Sequence, residues 1–109
     1  MRLVDIESPF AGDVQQNENY ARAAMRDCLQ RGEAPLASHL LYTQPGILRD
    51  DLPEERTLGM AAGDAWARHA EKTVVYYDLG ITPGMHDGIA DAYASGRIVE
   101  YRSLKDWRR

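Results

Sequence analysis

Apolar positions recur along the chain at two different spacings, and the alternation between them predicts the order of elements. Residues 3 to 10, LVDIESPF, read as a strand that ends at Pro9, with Ala11 and Gly12 making a turn. Val14, Ala21, Ala24, Met25, Cys28 and Leu29 then follow at helical intervals behind Asp13, which has Gln16 at the spacing of a capping box. Gly32 stops that helix, and residues 34 to 42, APLASHLLY, form a second apolar run of strand length. A longer loop, TQPGILRDDLPEER, leads into a second amphipathic helix carrying Leu58, Ala62, Ala65, Trp66 and Ala70. Asp51 and Glu54 supply another capping-box spacing there, with Pro53 in the first turn.

Residues 73 to 78, TVVYYD, suit a buried central strand, because valine and tyrosine pack well on a pleated surface. Thr82 caps a third helix over roughly residues 83 to 95, with Pro83 at its first position and Gly96 just past its end. IVEYRSL, residues 98 to 104, is a last strand, and KDWRR a short tail. Strands separated by helices predict parallel neighbours, since parallel pairing needs crossovers. The expected fold is therefore Rossmann-like, a three-layer α/β/α arrangement with a mostly parallel four-stranded or five-stranded sheet, in one domain spanning 1–109.

Composition narrows the function classes. With 109 residues, 44% hydrophobic and 28% charged, the chain is an ordinary globular length and mixture. A net charge of -4 lacks the basic footprint that nucleic acid demands, so no nucleic-acid partner is expected. No apolar run approaches the ~20 residues of a membrane span and the first residues are too acidic for a signal peptide, so a cytoplasmic protein without membrane contact is expected. Cys28, the single cysteine, has no partner for a disulfide or zinc site and reads as a small core hydrophobe. His39, His69 and His86 show no ligand spacing, and neither metal nor cofactor is expected. Gly59 and Gly63 leave a bare strip on the second helix, for internal packing or a subunit contact.

Ligands of open parallel sheets sit beyond the carboxyl ends of the strands, where turns and helix N-termini converge. That rule selects Ser8, Pro9, Phe10, Gly12 and Asp13 after the first strand, His39, Tyr42 and Gln44 around the second, and Asp78, Gly80, Thr82, Gly84 and Met85 after the third. Free amides at a helix N-terminus favour an anionic or hydroxylated ligand. Neither a G-x-G-x-x-G nor a G-x-x-x-x-G-K-[ST] motif is present, which argues against ordinary dinucleotide or nucleoside triphosphate binding. Asp13 doubles as a helix cap, His39 as a core histidine, and His86 as an exposed side chain; the alternatives are ligand contact for Asp13 and acid or base work for the two histidines.

At SPFAGD, PEERTLGMAAGDAW, TVVYYDLGITPGM and ASGRIVEY the sequence resembles the nucleoside 2-deoxyribosyltransferase-like family, in particular its small, often phage-encoded members. The resemblance covers nearly the whole chain. It implies a pocket for a nucleoside, nucleotide or related ribosyl metabolite, with Ser8, Pro9, Phe10, Gly12 and Asp78 holding it and subunits assembling as a homo-oligomer. Phe10 would stack the base, Asp78 would accept from sugar hydroxyls, and the amides of Gly84 and Met85 with Thr82 would meet a phosphate. Enzymes of the family cleave and transfer N-glycosidic bonds through a glutamate placed directly after the Gly-Met pair. His86 stands there instead, followed by Asp87, so a carboxylate from Asp78 or Asp87 would have to replace the missing glutamate. A binding protein that sequesters or senses such a metabolite, and an interaction protein with a vestigial pocket, are the alternatives.

Overall fold

The computed structural model describes residues 1–105 and 107. Strand β1 (Arg2–Glu7) leads through helix α1 (Val14–Gln30) to β2 (Glu33–Leu36). Helices α2 (Ser38–Leu41) and α3 (Pro53–Ala67) precede β3 (Lys72–Tyr76), and α4 (Pro83–Ala94) precedes β4 (Ile98–Arg102). The four strands are all parallel, in the order β2-β1-β3-β4, so the Rossmann-like α/β expectation holds with four strands. Among the described residues, no helix is long and apolar enough to cross a membrane.

Side chains alternate across the central strands, which divides the core in two. Val4, Ile6, Val74 and Tyr76 pack with Tyr20, Ala21, Ala24 and Cys28 of α1, with Trp107 partly buried against the same cluster. The small residues of α1 let it approach the sheet closely, and Cys28 is a buried core residue as its position in the stripe predicts. On the opposite face Val75 packs with Met85 and Ile89 of α4. Asp5 and Thr73 pair in register across β1 and β3, and Glu7 lies opposite Val75.

Two helix ends follow the sequence closely. The Asp13 carboxylate accepts from the Gln16 amide at 3.2 Å, and the Thr82 hydroxyl accepts from the Met85 amide at 3.3 Å. Elsewhere the chain departs from its local signals. The apolar run 34–42 is not one strand: it pairs only to Leu36 and then winds into α2. Pro35 is tolerated because β2 has a neighbour on one side only. An apolar run of that length has no periodicity that separates strand from helix.

The capping box at Asp51 does not form. Leu52 occupies the N-cap without a side-chain bond, and Asp51 instead pairs with Arg49 at 2.8 Å. Glu55 accepts from the Arg49 amide at 2.7 Å, so these carboxylates hold the preceding loop rather than the helix. The glycine strip of α3 is internal: Gly63 faces Ser38 of α2, and Gly59 faces Leu48. Of the expected tail, Lys105 and Trp107 are described, while Asp106, Arg108 and Arg109 lie outside the described residues.

Candidate functional site

A strand buried on both faces normally carries apolar side chains, yet β1 places Asp5 and Glu7 on one face, two residues apart. Both line a cavity of about 430 Å³ at the carboxyl end of the sheet. Its remaining walls come from the turn after β1, from α2 and α3, and from the first two turns of α4. Ser8, Phe10, Gly12, His39, Thr82, Gly84 and Met85, all singled out by the sequence, converge on it.

Gly12 turns the chain at φ +102°, a conformation that side-chain-bearing residues rarely adopt, and so returns the backbone into α1 beside the cavity. Ser8 Oγ lies 2.8 Å from His39 Nε2. Phe10 meets the same imidazole edge to face, with ring centroids 6.2 Å apart. Burial lowers the His39 pKa to about 4, so the ring is neutral at pH 7 and can exchange one hydrogen bond with the serine hydroxyl. Across the cavity Arg56 of α3 is anchored to Asp50 at 2.9 Å, and its guanidinium lies against Gly84 in the first turn of α4.

The structure does not bring the other expected residues to this space. Pro9 is buried beside the cavity without lining it, and Asp13 is spent as the cap of α1. His86 and Asp87 are exposed on α4, outside the cavity walls. Asp78 accepts from Tyr20 Oη at 2.5 Å, Ser103 Oγ at 2.5 Å and the Leu104 amide at 2.8 Å, and so ties down the segment after β4. Sequence reasoning passed over Asp5, Glu7, Asp64 and Gly88. The signal for the first two was present in VDIES: a central strand with two carboxylates breaks the pattern its own burial requires.

Burial dominates the electrostatics. It pushes Asp5 up to about 7, against the hydrogen bond donated by Thr73 at 3.2 Å. Glu7 is raised well above the ordinary glutamate value, first by burial and then by Asp5 and Asp64. Asp64 is itself raised by burial and by Asp91. A carboxyl whose folded-state pKa is raised contributes stability that is whole below its unfolded value and lost as pH climbs through the folded one. The free protein should therefore lose stability as pH rises from about 4 through about 7 on account of Asp5, with Glu7 adding a loss of the same sign. His39 acts in the opposite sense, its contribution being present above about 6.5 and lost toward 4. Replacing Glu7→Gln is expected to raise the unfolding free energy by about 2 kcal/mol at pH 8 and by much less at pH 4. Urea melts at the two pH values check this, and equal effects at both would contradict it.

The fold has a solved counterpart. The structure of Clostridium botulinum CMP N-glycosidase, BcmB, superposes with a TM-score of 0.55, covering 97% of this chain and 72% of that chain at 12% identity. At that identity the likeness establishes a shared fold. No curated protein matches the chain. Residues 2–102 match the family model described as "Domain of unknown function (DUF7768)", and the chain belongs to that family.

Proposed function

We propose that the protein binds a nucleoside, nucleotide or related ribosyl metabolite in the cavity at the strand ends, and that the reaction it supports is cleavage of an N-glycosidic bond. The observation that carries this reading is the combination of walls around one space. An aromatic face, a neutral Ser8–His39 pair, buried carboxyls and a capped helix N-terminus overlooked by Arg56 all meet there. Phe10 offers a π-face for a base. Ser8 and Asp64 offer partners for sugar hydroxyls, and the α4 amides with Arg56 suit a phosphate. The fold shared with a CMP N-glycosidase supports the same class of ligand.

Thermal-shift titration with nucleosides and their 5′-monophosphates tests it, because a ligand at a hundred times its Kd adds about 2.7 kcal/mol to the folded state. Arg56→Ala is expected to weaken a monophosphate at least tenfold while leaving the parent nucleoside within about threefold. Phe10→Ala should weaken both by about 1–3 kcal/mol, the usual worth of a stacked base. The reading fails if no member of the series stabilises the wild-type protein.

A further inference from the structure

We propose that Glu7 is the catalytic acid of the cavity, delivered from the end of β1 into the space that Gly88 leaves open on α4. The inference rests on the nucleoside reading of the cavity and adds the group that works on the bond. Glu7 lines the cavity, and among the described residues nothing donates a hydrogen bond to its carboxyl. A glycine in the interior of a helix costs about 1 kcal/mol relative to alanine, so its presence at 88 calls for a reason. A Cβ on residue 88 would overlap the carboxyl carbon and both oxygens of Glu7, so any side chain there would oblige the Glu7 carboxyl to move from its place in the cavity. The β1 carboxyl and an α4 side chain are thus alternative occupants of one place, and this chain fills it from β1. The neighbouring α4 residues His86 and Asp87 are exposed and send nothing into the cavity.

Burial first, and then the neighbouring charges, favour the protonated form of Glu7. Asp5 faces it from its own strand, Asp64 from α3 and Asp91 from α4, all acidic. The opposing cation, Arg97 ahead of β4, is shared with the Asp91 carboxylate at 3.1 Å and the Thr73 hydroxyl at 3.3 Å. Arg56 is held by Asp50, and His39 from α2 is neutral. In the step this permits, the Glu7 carboxyl gives its proton to the ring nitrogen of the base as the C1′–N bond breaks and its electron pair leaves with the base. The oxygen of a water bonds to C1′, and the proton that water sheds returns to the Glu7 carboxylate. A nucleoside 5′-monophosphate and water become sugar 5-phosphate and free base, with the acid restored.

The test compares wild type, Glu7→Gln, Glu7→Ala and the double variant Glu7→Ala/Gly88→Glu on purine and pyrimidine ribonucleoside and deoxyribonucleoside 5′-monophosphates. Binding is read by thermal shift, release of free base by chromatography, and the Glu7 carboxyl by carbon-13 titration of the free protein. Glu7→Gln should bind within about threefold of wild type yet release base at least a hundredfold more slowly. The double variant should recover at least tenfold over Glu7→Ala, since the carboxyl re-enters the same space from α4. The wild-type rate should fall as pH rises through the value at which the Glu7 carboxyl titrates, and that value should stand clearly above the ordinary range. A bound nucleotide that wild type leaves intact, undiminished turnover by Glu7→Gln, or an ordinary Glu7 titration would overturn the proposal while leaving the binding reading in place. Absence of binding by wild type would overturn both.

Discussion

Arg102→Met is expected to destabilise the protein by about 3–5 kcal/mol, the usual consequence of removing one partner from a buried ion pair. The Arg102 side chain is 4% exposed and the Glu33 side chain 8%. The guanidinium donates to both Glu33 oxygens, at 2.8 and 2.7 Å, to Glu100 at 2.5 Å and to Tyr76 Oη at 3.1 Å. Glu33 begins β2 and Arg102 ends β4, which are the two edges of the sheet. A single helix, α1, cannot cover four strands, and the ionic network with Lys72 closes the part of that face it leaves. The hydrogen bonds from Arg102 hold Glu33 down to about 2. A lowered carboxylate contributes stability that is present above its unfolded pKa and lost as pH falls, here from about 4.5 toward 2. Denaturant melts at pH 7 and pH 3 should show the wild type losing this stability and the variant, having lost it already, showing a flatter acid limb. A variant that melts like wild type at pH 7 would contradict this account.

Asp78→Ala is expected to cost about 2–3 kcal/mol and to loosen the segment after β4, while leaving unchanged the affinity for the nucleotide proposed to occupy the cavity. Hydrogen bonds to a charged acceptor are worth about 1.5–3 kcal/mol, and the solvent exposure of Asp78 discounts the sum of three. Burial alone would raise the Asp78 pKa, but the bonds from Leu104, Ser103 and Tyr20 outweigh it and hold the carboxyl below its ordinary value. Tyr20, fully buried, would lose its acceptor, and Trp107 packs edge to face on that ring at 4.9 Å. Tryptophan fluorescence reports the loosening, since Trp66, the other tryptophan, lies on α3 with its indole bonded to Tyr42 at 2.7 Å. The family resemblance implies the opposite pairing of effects, lost ligand binding with folding intact. That result would return Asp78 to the ligand.

The residues that line the cavity around the β1 turn were legible because a rule about parallel sheets applies to any chain whose strands alternate with helices. Ser8, Phe10, Gly12, Thr82, Gly84 and Met85 follow from it without any knowledge of packing. His39 is legible by position, although the apolar run around it predicts a strand and the chain winds into α2 instead: the turn at Ser38 lets Thr43 Oγ1 and Gln44 Nε2 bond back to the carbonyls of His39 and Leu40. Asp78 illustrates the limit of position alone. A carboxylate at a strand end can serve a ligand or the chain itself, and its donors, Tyr20 and Ser103, lie 58 and 25 residues away.

What the sequence by itself determined is the alternation of strands with α1, α3 and α4, the buried Ala21, Ala24 and Cys28 of α1 and the caps at Asp13 and Thr82, because each depends on residues within a few positions of one another; Val14 and Leu29, at the same helical spacing, are exposed. What only the tertiary structure decided is which polar groups meet. The Asp51 capping signal was overridden by Arg49, the glycine at 88 acquired its meaning from Glu7 on another element, and Arg102 found Glu33 from the far edge of the sheet. A buried charge is governed by whichever groups the fold sets around it, and those groups are distant in sequence for the same reason they are close in space: crossovers of a parallel sheet bring together residues that the chain holds far apart.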